Sequence, residues 1–361
     1  MSEKNRILYL EDQNAESIVK DLEAQGFLVE TTDVEDTEKL IQTLKEGYYR
    51  AFIMDYRLTS GKGEFDAPAL AGMVRTQVAD GKISINAPII LITEEKQLTV
   101  VKMEQEDQYL YDYVIPKDIF LEHIDYYSLL IREFIEAYEL IQASGDCIAK
   151  VLGIDSEEKD LLVDYRLEDE YLKLKDDFYA CTHFLTNYFV RSNGSLIDNG
   201  ILAARLGIDS GKSGKSWDEL LKILKSEGCR YTGIMSNAFS KWWMEKVKIW
   251  WKKTIPEMPS FRYENASSRV DWLNKRIGLN LVKANPIEDD MSEEYWTVCL
   301  ATHQPMDPTD GFICNRRFKR EWEENDYISV KGALICPEFQ KYLSRVDRKD
   351  IIAYGERAGR K

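Results

Sequence analysis

No apolar run in this chain approaches the roughly 18 residues that a membrane-spanning helix requires. The opening MSEKNR leads into only four apolar residues before Glu11 and Asp12, which is not the pattern of a secretory leader. The expected location is therefore the cytoplasm. Cysteine is sparse, and Cys147, Cys181, Cys229, Cys299, Cys314 and Cys336 include no CxxC pair. Such spacing excludes a zinc ribbon and fits reduced, mostly buried thiols better than a disulfide frame. The N-terminal part is short of positive charge. Residues 1–140 hold 28 Asp and Glu against 14 Lys and Arg, whereas residues 141–361 are nearly balanced at 35 against 34. The net charge of −15 thus belongs almost wholly to the first part. This argues against nucleic acid binding there and places a boundary near IQASGDC, residues 141–147.

A length of 361 residues suits two domains, and 44% hydrophobic with 31% charged residues is ordinary globular composition. Within the first part, short apolar runs alternate with helical-length polar stretches: ILYL (7–10), FLVE (27–30), AFIMD (51–55), PIILIT (88–93) and YVIPK (113–117). Five strands with intervening helices predict a flavodoxin-like, doubly wound five-stranded parallel sheet. Ligands bind such sheets outside the carboxyl ends of the strands. Those ends carry Glu11 and Asp12 after the first run, Asp55 after the third, Thr93 after the fourth and Lys117 after the fifth.

Three acids, a hydroxyl and a lysine at one sheet edge are suited to a phosphoryl group. Adjacent carboxylates repel each other unless a cation relieves them, and Mg2+ needs only a few carboxylate oxygens beside a phosphate. Asp55 is the candidate nucleophile, Lys117 the candidate partner of the transferred oxygens, and Thr93 the candidate donor to the acyl phosphate.

In these residues the first 140 positions resemble the receiver domain of two-component response regulators. The resemblance implies phosphorylation of Asp55 by a histidine kinase or phosphotransfer protein, with Mg2+ held by Glu11, Asp12 and Asp55. The chain departs from the family in three places. YRLTSGKGEFDAP after Asp55 lacks the usual proline and is longer, with Gly61 and Gly63 in it. Pro116 precedes Lys117 and Asp118. Tyr113 stands four residues before Lys117, leaving Val114 in the slot where the family places its switch aromatic.

From residue 151 the patterns predict a helix-rich α+β domain, joined to the receiver by a connector over 141–150. GIDSGKSGKS (207–216) has the wrong glycine spacing for a phosphate-cradling loop and reads as a polar turn before a helix starting near Trp217. LGIDS occurs at 152–156 and 206–210, with Gly153 and Gly207 placed to end helices. KWWMEKVKIWWKK (241–253) reads as a helix whose stripe of Phe239, Trp243, Val247 and Trp250 or Trp251 faces the core with lysines in solvent. The other reading of that segment is a surface that stacks on nucleic acid. His183 near Cys181, and His303 with Asp307 and Asp310, match no standard metal spacing.

The functional expectation is a signalling protein in which phosphorylation of Asp55 controls an output in residues 151–361. The alternatives for that output are a DNA-binding regulator, drawing on the ILAARLGI helix pair, or a partner-binding module, phosphate sink or enzyme. No membrane is involved. The face built from the fourth helix, fifth strand and fifth helix, with Tyr126, Tyr127, Leu130, Phe134 and Tyr138, is a candidate either for pairing with a second copy or for covering by the chain's own second domain.

Overall fold

The computed structural model describes residues 5–11, 16–32, 37–56, 67–83, 86–94 and 110–358. Asp12, residues 57–66 with Gly61 and Gly63, and most of the segment predicted as the fourth helix of the pairing face lie outside these residues. The chain divides into two compact units. The first comprises residues up to 156 together with 168–186 and 233–238, and the second comprises 157–167, 187–232 and 239–361.

In the first unit β1 (Arg6–Leu10), β2 (Leu28–Thr32), β3 (Ala51–Asp55), β4 (Ile89–Thr93) and β5 (Tyr113–Pro116) form one parallel sheet in the order β2-β1-β3-β4-β5. Helices α1 (Glu16–Ala24), α2 (Thr37–Glu46) and α3 (Ala67–Ala79) connect successive strands. The central strands β1, β3 and β4 are buried along almost their whole length, which is why they read as unbroken apolar runs rather than alternating ones. Register aligns their ends. Leu10 lies opposite Met54, Asp55 opposite Ile92, and Thr93 opposite Pro116. The residues that follow therefore leave the sheet at one edge.

Pro116 cannot donate to a ladder and ends β5, so Lys117 opens the short helix Lys117–Glu122. The 21-residue helix Ile124–Ser144 then runs to Gly145, whose φ of 54° stops it. Of the five side chains named for the pairing face, Leu130, Phe134 and Tyr138 are buried in this unit's core, and Tyr126 stays exposed. Tyr113 lies against Phe134, with ring centroids 6.1 Å apart.

Later stretches of sequence complete this unit. The helix Phe178–Leu185 packs on Ile124–Ser144, and its Tyr179 ring lies 3.8 Å from the Arg75 guanidinium carbon of α3. Arg75 pairs with buried Asp112 at 2.7 Å. Asp112 also accepts from the Ile89 amide and the Tyr138 hydroxyl, both at 2.8 Å. From residues 233–238, the Asn237 backbone and side-chain amides donate to buried Glu133 at 3.0 and 2.7 Å.

The second unit is helix-rich with short antiparallel pairs: β6 (Leu196–Asp198) with β7 (Lys241–Trp243), β8 (Thr297–Val298) with β9 (Pro305–Met306), and β10 (Gly311–Ile313) with β11 (Tyr327–Ser329). The helices Asn199–Leu206, Lys215–Ser226, Met244–Thr254 and Ala266–Ile277 enclose its main core around Leu206, Trp217, Leu220, Trp242, Val247, Trp250 and Trp251. Two details of the Trp-Lys segment correct the sequence reading. Its helix begins only at Met244, because 241–243 pair as a strand with β6. Lys241 is buried, not solvated, and its ammonium donates to the Ser192 carbonyl at 3.1 Å and Asn193 Oδ1 at 3.2 Å. Lys248, Lys252 and Lys253 do face solvent.

Gly207 ends Asn199–Leu206 with φ of 76°, and Asp209 caps the turn that follows by accepting from the Lys212 amide at 2.9 Å. GIDSGKSGKS is thus a capped helical turn leading into Lys215–Ser226. Residues 330–335 form a helix capped by Ser329, whose hydroxyl accepts from the Gly332 amide at 3.0 Å.

Candidate functional site

The site lies at the carboxyl edge of the five-stranded sheet. The Lys117 ammonium donates to Asp55 Oδ2 at 3.1 Å and to Glu11 Oε2 at 3.3 Å, joining the ends of β1, β3 and β5 through one cation. Glu11 is almost fully buried, Asp55 mostly so, and Lys117 about a third exposed. Thr93 occupies the matching position on β4. It is fully buried, and its hydroxyl has no hydrogen-bond partner among the described residues. A buried hydroxyl without a partner is costly, so Thr93 retains an unused donor at this edge. Of the sequence candidates, Glu11, Asp55 and Lys117 touch, Thr93 shares their edge, and Asp12 lies outside the described residues.

Charge at the site is out of balance in the direction that favours a cation. Burial raises the Asp55 carboxyl above its ordinary value and the neighbouring Glu11 raises it further, with the Lys117 ammonium opposing both. Burial pulls the Lys117 ammonium down, but the Asp55 and Glu11 carboxylates outweigh it and hold it above its ordinary value. Two carboxylates share one lysine, and Asp12 adds a third acid in sequence. Hard oxygen donors carrying excess negative charge fit Mg2+.

Sequence reading counted Tyr9 only as an apolar strand residue. The structure makes it part of the site. Its buried hydroxyl donates to Glu11 Oε2 at 2.5 Å, and burial first, then that bond, raise the phenol well above its ordinary range. The available signal was the two-residue spacing, which turns Tyr9 and Glu11 to the same side of the strand.

The other sequence candidates do not converge. Among the described residues no group of three His, Cys, Asp or Glu is placed to hold a metal. Asp307 accepts from the Ser292 hydroxyl and Asp310 from the Ser292 amide, so both carboxylates serve the local turn. Trp242, Trp243, Trp250 and Trp251 are buried, which removes them from stacking on bases.

No family model and no curated protein matches the chain. Solved structures do. The chain is similar to a CheY-like response regulator receiver domain from Methylobacillus flagellatus at 17% identity, over 35% of this chain and 98% of that one, with a TM-score of 0.29. It is similar to full-length FixJ from B. japonicum at 17% identity, over 51% of this chain and 90% of that one, with a TM-score of 0.31. A response regulator from Burkholderia pseudomallei, solved with a phosphorylated aspartic acid, a calcium ion and citrate, is 15% identical over 51% of this chain and 92% of that one, with a TM-score of 0.26.

The N-terminal region has a flavodoxin-like fold. Its own sheet order, β2-β1-β3-β4-β5, is the doubly wound arrangement expected of it. The strand ends of this sheet carry the acid, hydroxyl and lysine described above. No helix among the described residues is long and apolar enough to cross a membrane.

Proposed function

We propose that the receiver is a phosphoacceptor and that the chain works as a response-regulator-type signalling protein. The observation that carries this reading is the Lys117 ammonium held between Asp55 and Glu11 at 3.1 and 3.3 Å. An Asp55 oxygen attacks the phosphorus of a donor, the bond to the donor's leaving group breaks with its electron pair, and a mixed anhydride forms on Asp55. Lys117 shifts from the carboxylates to a phosphoryl oxygen. The Thr93 hydroxyl, which has no partner among the described residues, donates to another. Mg2+, held by Glu11, Asp12 and Asp55, would supply neutralisation of charge on the transferred oxygens. The donor is a histidine kinase or phosphotransfer protein. The second unit, residues 157–167, 187–232 and 239–361, acts as the output, and a cytoplasmic location goes with this role.

New contacts to the phosphoryl group bias the receiver between two states. Moving such an equilibrium from mostly off to mostly on takes about 5 kcal/mol of differential stabilisation. Pairing with a second copy through the fourth-helix, fifth-strand and fifth-helix face belongs to the same proposal, with exposed Tyr126 as its described apolar contribution.

The test is intact mass after incubation with acetyl phosphate and Mg2+, with light scattering on the same samples. The expected result is addition of one phosphoryl group that Asp55→Asn abolishes, together with a rise in dimer. Unchanged mass, or equal labelling of Asp55→Asn, removes Asp55 as the acceptor.

A further inference from the structure

We infer that Tyr9 is a positioning residue for cation binding: its buried hydroxyl fixes the Glu11 carboxylate so that one oxygen stays committed to the protein and the other is presented to Mg2+. The inference rests on the phosphoacceptor reading of the site and concerns one further residue in it.

Three observations carry it. Tyr9 is fully buried in β1, which is paired on both sides, with Thr31 of β2 and Ile53 of β3 opposite Tyr9. A side chain rooted in a central strand is held more rigidly than one on a loop. The Tyr9 hydroxyl and the Lys117 ammonium both donate to the same Glu11 oxygen, Oε2, at 2.5 and 3.3 Å, and neither bond uses Oε1. The short bond is the tyrosine's. Lys117 is the donor with work elsewhere, since it also holds Asp55 and, on the phosphoacceptor reading, moves toward the transferred group.

When Lys117 leaves Glu11, Tyr9 is the donor that keeps Oε2 satisfied and the carboxylate plane in place. A carboxylate buried to this degree has little water to orient it. Without Tyr9 it would turn toward Lys117 or toward whatever solvent it reaches. Hydrogen-bond partners one step behind a metal ligand commonly matter tenfold or more for metal affinity. Tyrosine supplies this bond without adding charge, because a phenol O–H is a neutral donor.

The experiment is direct calorimetric titration of the full chain with Mg2+ alone, comparing wild type with Tyr9→Phe, which keeps the ring and removes only the hydroxyl. Affinity is expected to fall about tenfold in Tyr9→Phe. In a Glu11→Gln background the same change should weaken binding much less, because Tyr9 acts through Glu11. Tyr9→Leu is titrated in parallel as a second hydroxyl-free variant, so that a folding defect in one leaves the comparison standing, and thermal melts report folding of each. Equal or tighter Mg2+ binding by a folded hydroxyl-free variant overturns the role of Tyr9. So does a full tenfold loss in the Glu11→Gln background. Absence of Mg2+ binding by the wild type instead overturns the reading of the site itself, and the two failures are separately visible.

Discussion

Replacing Asp112 tests how the first unit is held together. Its carboxylate is fully buried and receives Arg75 at 2.7 Å, the Ile89 amide at 2.8 Å and the Tyr138 hydroxyl at 2.8 Å. Arg75 is itself mostly buried beneath the Tyr179 ring. In Asp112→Ala the guanidinium loses its only carboxylate partner among the described residues while remaining out of water, a situation that costs about 3 to 5 kcal/mol. Asp112→Asn keeps an acceptor for Ile89 or Tyr138 and loses the charge, so its cost is about 2 kcal/mol, the worth of a charge-assisted hydrogen bond. Against a total domain stability of about 5 to 15 kcal/mol, the alanine variant is severe.

The assay is native-state hydrogen exchange followed by mass spectrometry on the peptide spanning β4. The Trp fluorescence unfolding curve serves as an internal control, because all eight tryptophans belong to the second unit. Protection of β4 should fall by the stated amounts in the order Ala greater than Asn. A loss below about 1 kcal/mol in Asp112→Ala would refute the claim that this carboxylate compensates a buried charge.

Two further outcomes follow from the same physics. Folding raises the Asp55 carboxyl above its ordinary value. Such a group binds its proton more tightly when folded, so it costs stability as pH rises through the interval between its unfolded and folded values. Asp55→Asn should therefore stabilise the first unit at neutral pH, with the gain shrinking as pH falls toward about 4, the ordinary carboxylate value. Exchange protection of β4 measured across that range checks it, and a gain that grows on acidification contradicts it. In the second unit, Gly207 has φ of 76°, and an added Cβ would lie 2.7 Å from the Ala266 Cα. The left-handed backbone alone costs about 1 to 2 kcal/mol for a residue with a side chain. Gly207→Ala should lower the midpoint of the Trp fluorescence transition by more than that cost alone, and an unmoved midpoint would contradict the close approach.

The parts legible in sequence were those set by one strand at a time. AFIMD and PIILIT read as buried strands because parallel central strands are apolar on both faces, and Glu11, Asp55 and Lys117 could be grouped because parallel strands bring their carboxyl ends to one edge. Tyr9 was hidden by its own amphipathic character, since a tyrosine inside ILYL looks apolar until its hydroxyl has a partner. Trp243 fitted a helical stripe by local spacing, and only the pairing of β7 with β6, more than forty residues earlier, makes it part of a strand. The partners of Arg75 and Glu133 were not legible because Tyr179 and Asn237 lie about a hundred residues further along.

That last separation bears on how such a chain can be inherited. A receiver confined to one continuous stretch can be joined to a new output by a single crossover in its linker. Here the first unit recruits 168–186 and 233–238, so a crossover between 140 and 150 would strip the Tyr179 ring from Arg75 and both Asn237 donors from Glu133. A replacement receiver would arrive without matching residues for those segments, and the donated one would leave its own behind. The packing of α3 thus depends on Phe178–Leu185, about a hundred residues further along the chain.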